Sequence, residues 1–96
     1  MREYLIRCTD GEWFNLDTSR FEGVLRPTSF ASHRARGWGD WRINCQGSDI
    51  AFSYEDPGIH IVIERELPNG VADQIVQEIC ENVSRATGQT GVIIPL

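Results

Sequence analysis

The sequence predicts an α+β domain: a mainly antiparallel sheet of about five or six strands packed against one C-terminal amphipathic helix, in the order β-β-loop-β-β-β-α-β. Three observations carry this prediction. Apolar and polar residues alternate in several short segments before residue 65, the pattern of half-buried strands. After Gly70 the apolar spacing changes from two residues to about 3.6, the period of a helix with one greasy side. Turn-forming clusters, among them Asp10-Gly11, Gln46-Gly47-Ser48-Asp49 and Asp56-Pro57-Gly58, separate the alternating segments. A chain of 96 residues has room for one core, so residues 1–96 are expected to be a single domain.

Taken in order, Tyr4-Leu5-Ile6-Arg7-Cys8 places Tyr4, Ile6 and Cys8 on one face, and Glu12-Trp13-Phe14-Asn15-Leu16 resumes the pattern after Asp10-Gly11. The two read as an opening hairpin. Residues 17–39 form a long connection containing Gly23, Pro27, Gly37 and Gly39, with a short strand expected around Val24-Leu25. Trp41, Ile43 and Cys45 then share one face of a strand while Arg42 and Asn44 point away, and a second hairpin leads into Ile50-Ala51-Phe52-Ser53-Tyr54. Asp56-Pro57-Gly58 fits a type II turn, because proline presets φ at its second position and glycine accepts positive φ at its third. The strand Ile59–Glu64 follows, with Ile59, Ile61 and Ile63 inward.

Val71, Ile75, Val76, Ile79, Cys80 and Val83 form the helical stripe, opposed by Asp73, Gln74, Gln77, Glu78, Asn82 and Arg85. Asp73 near the start and Arg85 near the end suit the helix dipole, and Gly88 suits a C-terminal cap. Gly91-Val92-Ile93-Ile94 is apolar on both faces, which predicts a short strand inside the sheet.

With 41% apolar and 24% charged residues, the composition is that of a globular chain able to fold unaided. The absence of lysine, all nine positive charges being arginine, excludes a Walker A loop, a Schiff-base lysine and a pyridoxal site. No uninterrupted apolar run exceeds three residues, so no signal peptide or membrane helix is expected. Cys8, Cys45 and Cys80 are odd in number and lie on inward faces, which suits small core residues in a reducing compartment, with cytoplasm the expected location. No Cys-x-x-Cys or Asp-x-Asp spacing points to a metal, and no cofactor is expected.

The net charge of −5 is unevenly spread: residues 1–19 carry −2, residues 20–42 carry +3 and residues 43–96 carry −6. An acidic C-terminal half repels nucleic acid and attracts cationic proteins. Against that background Arg34-Ala35-Arg36-Gly37-Trp38-Gly39-Asp40-Trp41-Arg42 interleaves guanidinium groups with indoles, a pattern able to grip single-stranded nucleic acid. The same residue types dominate protein-binding hot spots. His60 and Glu64 share a strand face, which admits an acid-base pair of a small hydrolase, although solvent-facing or structural histidines are commoner.

The segment from Ser53-Tyr54-Glu55-Asp56-Pro57-Gly58-Ile59 through Ala86-Thr87-Gly88-Gln89-Thr90-Gly91 resembles small acidic bacterial immunity proteins of polymorphic-toxin and contact-dependent inhibition systems. That resemblance implies a non-enzymatic protein that binds a toxin domain and occludes its active site, with no membrane association. On this reading the contact residues are Glu55 and Asp56 in the acidic turn, Glu78 and Glu81 on the exposed helix face, and Trp38 as an anchor. The alternative is a single-stranded nucleic-acid-binding protein using residues 34–42.

Overall fold

The computed structural model describes residues 1–55 and 58–96. Its elements are β1 (Arg2–Cys8), a 3-10 turn (Thr18–Arg20), α1 (Phe21–Val24), β2 (Ser32–Arg34), β3 (Trp41–Cys45), β4 (Ser48–Glu55), β5 (Gly58–Ile63), α2 (Val71–Thr87) and β6 (Gly91–Pro95). The strands form one antiparallel sheet in the spatial order β2-β3-β4-β5-β1-β6. Thus the α+β class and the C-terminal helix stand as the sequence predicts, with one further short helix.

Alternation decides which side of each strand is covered. Tyr4, Ile6 and Cys8 on β1, Ile59, Ile61 and Ile63 on β5, Ile50 and Phe52 on β4, and Ile43 and Cys45 on β3 are all buried on the face that α2 covers. The helix answers with Ala72, Ile75, Val76, Ile79, Cys80 and Val83, while Val71 packs at the margin. Complete burial of one such aliphatic side chain is worth about 1.5–3 kcal/mol, so this seam fixes the helix on the sheet. Gly88 ends the helix with φ of 72°, and its N–H donates to the Ser84 carbonyl at 2.9 Å. Gly58 opens β5 opposite Arg7, where an added Cβ would run into the Ile6 carbonyl oxygen, so only glycine lets the two strands close here.

Three expectations are corrected. Glu12–Leu16 is not a strand, because both sides of β1 are already taken, by β5 and β6. Its backbone is served instead by one side chain: Gln89 accepts from the Asn15 N–H at 2.7 Å and donates to the Trp13 carbonyl at 2.9 Å, while Phe14 and Leu16 still reach the core. The Val24-Leu25 strand is replaced by α1: Asp17 accepts from the Ser19 N–H, and Phe21, Val24 and Leu25 bury themselves at helical spacing. The long connection also yields a strand of its own, β2. Finally, β6 lies at the rim of the sheet, its apolar residues covered on one flank by α2. Of the expected Asp56-Pro57-Gly58 turn, Asp56 and Pro57 lie outside the described residues, and Gly58 is the first residue of β5. Among the described residues no helix is long and apolar enough to cross a membrane.

Candidate binding surfaces

The residues of β3 that point away from α2 are not simply solvated. Arg42 is 8% exposed, its Nε donating to Asp49 at 3.0 Å and its Nη2 to Glu64 at 2.7 Å. Asn44 braces Asp49 with a 2.9 Å hydrogen bond, and this donor, followed by Arg42, holds the Asp49 carboxyl below its ordinary range. The loop between β2 and β3 folds over Arg42, with the Trp38 ring centre 5.6 Å from the guanidinium carbon and Gly37 packed so closely that an added Cβ would come within 2.6 Å of Arg42 Nε. On the helix side of the same strand, Arg34 lies 4.6 Å over the Trp41 ring, which meets Phe21 edge-on. Each indole of the loop therefore has one face occupied by an arginine, so the two do not form a bare stacking platform. The loop walls a cavity of about 510 Å3 lined by Arg34, Arg36, Arg42 and Asp40 among others.

The five residues expected to contact a partner do not converge. Trp38 is half exposed on the loop over Arg42. Glu55 ends β4 beside His60, and Asp56 lies outside the described residues. Glu78 faces inward on the molecule's own surface: it accepts from the backbone N–H of Thr28 at 2.8 Å and of Ser29 at 2.7 Å, and from Gln74 at 3.1 Å. Ser29 above all, with help from Gln74 and Thr28, draws its carboxyl down to about 2. Glu78 thus pins the loop before β2 to α2. Glu81 alone of the helix pair stands exposed with no internal partner among the described residues. Nor are His60 and Glu64 brought together: Glu64 serves Arg42, while His60 Nε2 lies 3.0 Å from Glu3 and Nδ1 3.8 Å from Glu55.

Sequence reasoning missed the two rims of the sheet, which differ sharply. At β2 the strand is only three residues long and carries His33 and Arg34, and the Ser32 carbonyl is taken by Arg26 Nη2 at 3.4 Å. Such short, charged rims resist pairing with other chains. At β6 the sequence is Gly-Val-Ile-Ile-Pro with no charge. The Thr9 N–H donates to the Thr90 carbonyl and the Leu96 N–H to Glu3, each at 3.0 Å, so residues 90, 92, 94 and 96 face β1. Residues 91, 93 and 95 consequently turn their backbone outward. The Gly91 N–H is used by Ser84 Oγ at 3.1 Å and Pro95 has none, leaving the Ile93 N–H as the one outward donor beside three outward carbonyls. A groove of about 420 Å3 runs along this rim, with Ile93, Gly91 and Cys80 at its floor and Gln77, Glu81, Ser84 and Arg85 on its helix wall.

Cys8, Cys45 and Cys80 are buried free thiols, and burial raises Cys45 and Cys80 above the ordinary thiol range. Among the described residues no group of three or more His, Cys, Asp or Glu side chains is placed to hold a metal ion. Comparison with protein-family models, with curated proteins and with solved structures finds no match to this chain.

Proposed function

We propose that this protein is a non-catalytic binding module that accepts an extended segment of a partner polypeptide as an added strand along β6. The observation that carries the reading is the uncharged β6 rim with its outward Ile93 amide and adjoining groove. Strand addition draws affinity from backbone hydrogen bonds and selectivity from pockets for alternate side chains. The donor count favours a foreign segment over a second copy. Two copies hold one free donor each, so they exchange at most two hydrogen bonds; a partner with its own amides can also satisfy the carbonyls of Gly91 and Pro95. The residue opposite Ile93 would project its side chain into the groove, which suits an apolar group, and Glu81 on the groove wall suits a cation beside it.

The resemblance to immunity proteins supplies the finer form of this proposal: the partner is a toxic domain, and the bound module covers its active site. Co-expression with a toxin domain encoded beside this gene tests it. Growth protection by the wild type, lost in Ile93→Pro and weakened in Glu81→Arg, is the expected result. No protection together with no complex on gel filtration ends the toxin reading. Strand addition itself fails if selection from random peptides returns no extended segment with an apolar centre.

A further inference from the structure

The face of the sheet opposite α2 is treated differently at its two ends. At β3 the Arg34–Asp40 loop folds over it, with Gly37 and Trp38 against Arg42. At β1 and β6 it stays open. Tyr4, Ile6 and Cys8 are buried toward α2, so Glu3, Leu5 and Arg7 take the other side of β1. Pairing sets Ile94 beside Leu5 and Val92 beside Arg7, and the Leu96 N–H on the Glu3 carbonyl sets Leu96 beside Glu3. Val92 is 37% and Leu96 69% exposed, Glu3 and Arg7 are exposed, and Leu5 and Ile94 are half-buried. The solvent face of an antiparallel sheet ordinarily carries polar side chains, yet here β6 presents three aliphatic ones in a row. An apolar patch bordered by charges marks an interaction surface. Glu3 has His60 Nε2 at 3.0 Å, and Arg7 forms no salt bridge among the described residues.

We propose that a second copy of this chain docks on this face, the two sheets packing together about a two-fold axis. The pattern of the patch names its occupant, because the patch is its own complement. On β1 an acid and a base stand at equal distances from Leu5, and on β6 Val92 and Leu96 stand at equal distances from Ile94. A half-turn about the Leu5–Ile94 row lays β1 antiparallel over β1 of the second copy. Glu3 then meets Arg7 of the second copy, Arg7 meets its Glu3, Leu5 and Ile94 meet their own counterparts, and Val92 meets Leu96. Such an isologous contact makes each pairing twice. Stacked sheets lie about 10 Å apart, a gap that a glutamate and an arginine bridge together. A half-turn about the strand direction would instead set Glu3 on Glu3 and Arg7 on Arg7, and like charges so placed oppose association. A patch confined to two strands is smaller than the about 800 Å2 per partner of a standard interface, so the dimer is weak and reversible. The contact uses the sheet's face and not its edge. The outward Ile93 amide therefore stays free, and the donor count that disfavours rim pairing between copies does not oppose this dimer.

The test is sedimentation of the full chain at low ionic strength, at concentrations up to about 1 mM. A reversible monomer–dimer equilibrium is expected for the wild type. Glu3→Arg and Arg7→Glu should each weaken it at least tenfold, since each sets like charges opposite one another. An equimolar mixture of these two variants should associate to within about threefold of the wild type, because only the mixed pair restores opposite charges at both ends. Ile94→Asp should abolish the dimer, and Glu81→Arg, on the helix wall, should leave it unchanged. A wild-type sample mixing isotope-labelled and unlabelled copies should show intermolecular contacts between the Val92 and Leu96 methyl groups, a readout that no variant's folding can disturb. A wild type that stays monomeric, or a mixture no tighter than either variant alone, overturns the proposal. A dimer lost in Ile93→Pro but indifferent to both charge changes also overturns it and assigns self-association to the rim. Failure of strand addition at β6 leaves every one of these outcomes unaffected.

Discussion

Arg42 on β3 reaches across β4 to place its Nη2 2.7 Å from Glu64, just beyond the end of β5, while the same guanidinium holds Asp49 on β4. One side chain thereby ties three neighbouring strands together on the face opposite α2. Its partners are each about 30% exposed, at 30% and 29%, so water screens part of the charge.

Replacing Arg42 with Leu removes this tie and leaves two carboxylates facing each other. Breaking a buried ion pair by deleting one partner costs about 3–5 kcal/mol, and the partial exposure here reduces the expected loss to about 2–3 kcal/mol. Urea unfolding of Arg42→Leu measures it. A loss below about 0.5 kcal/mol would show that the pair contributes no more than a surface salt bridge.

The contact between Glu78 and the Thr28-Ser29 backbone predicts a pH dependence. Its folded carboxyl titrates at about 2, below the ordinary value of 4.5, so the contact stabilises the fold fully above pH 4.5 and is lost as pH falls toward 2. The difference in melting temperature between wild type and Glu78→Gln should be present at pH 7 and shrink steadily below pH 4.5. A difference that widens on acidification contradicts the assignment.

Gly58→Ala should cost more than about 2 kcal/mol, because the new methyl group meets backbone, which cannot swing aside as a side chain can. Thermal unfolding of Gly58→Ala beside Gly11→Ala separates steric conflict from backbone conformation: nothing lies within 4 Å of a Cβ at Gly11, whose φ is 80°. The Gly11 variant should lose only about 1 kcal/mol. Equal losses would deny the close approach of β5 to β1.

Ile93→Pro removes the one outward amide of β6 without deleting a ladder hydrogen bond to β1, so the fold should survive with a stability change of about 1 kcal/mol or less. Any partner held by strand addition should bind it at least tenfold more weakly. Circular dichroism and calorimetric titration of a selected peptide check the two halves; unaltered affinity would place the contact elsewhere.

The sequence made α2 legible because its stripe repeats at a period no strand can share, and β3 to β5 because their alternation is bounded by turns. It could not separate strand from irregular coil at Glu12–Leu16, since Phe14 and Leu16 are buried in either case and the deciding partner, Gln89, lies 74 residues from Asn15. Apolar residues on both faces made β6 resemble an interior strand, when one of its flanks is in fact sheltered by α2. Alternation places Arg42 away from the helix but carries no sign that the loop leading into β3 folds back over it. Glu78 looked available on a helical wheel because Ser29, 49 residues distant, leaves no periodic trace.

Amide hydrogen exchange along β6 tests the account most directly. In the free chain Val92 and Ile94, bonded to β1, should exchange slowly and Ile93 close to the rate of an unstructured peptide; with a selected extended peptide bound, Ile93 should slow at least a hundredfold. Protection of Ile93 in the free chain, or no slowing when the peptide binds, would contradict the proposal that this rim receives a partner strand.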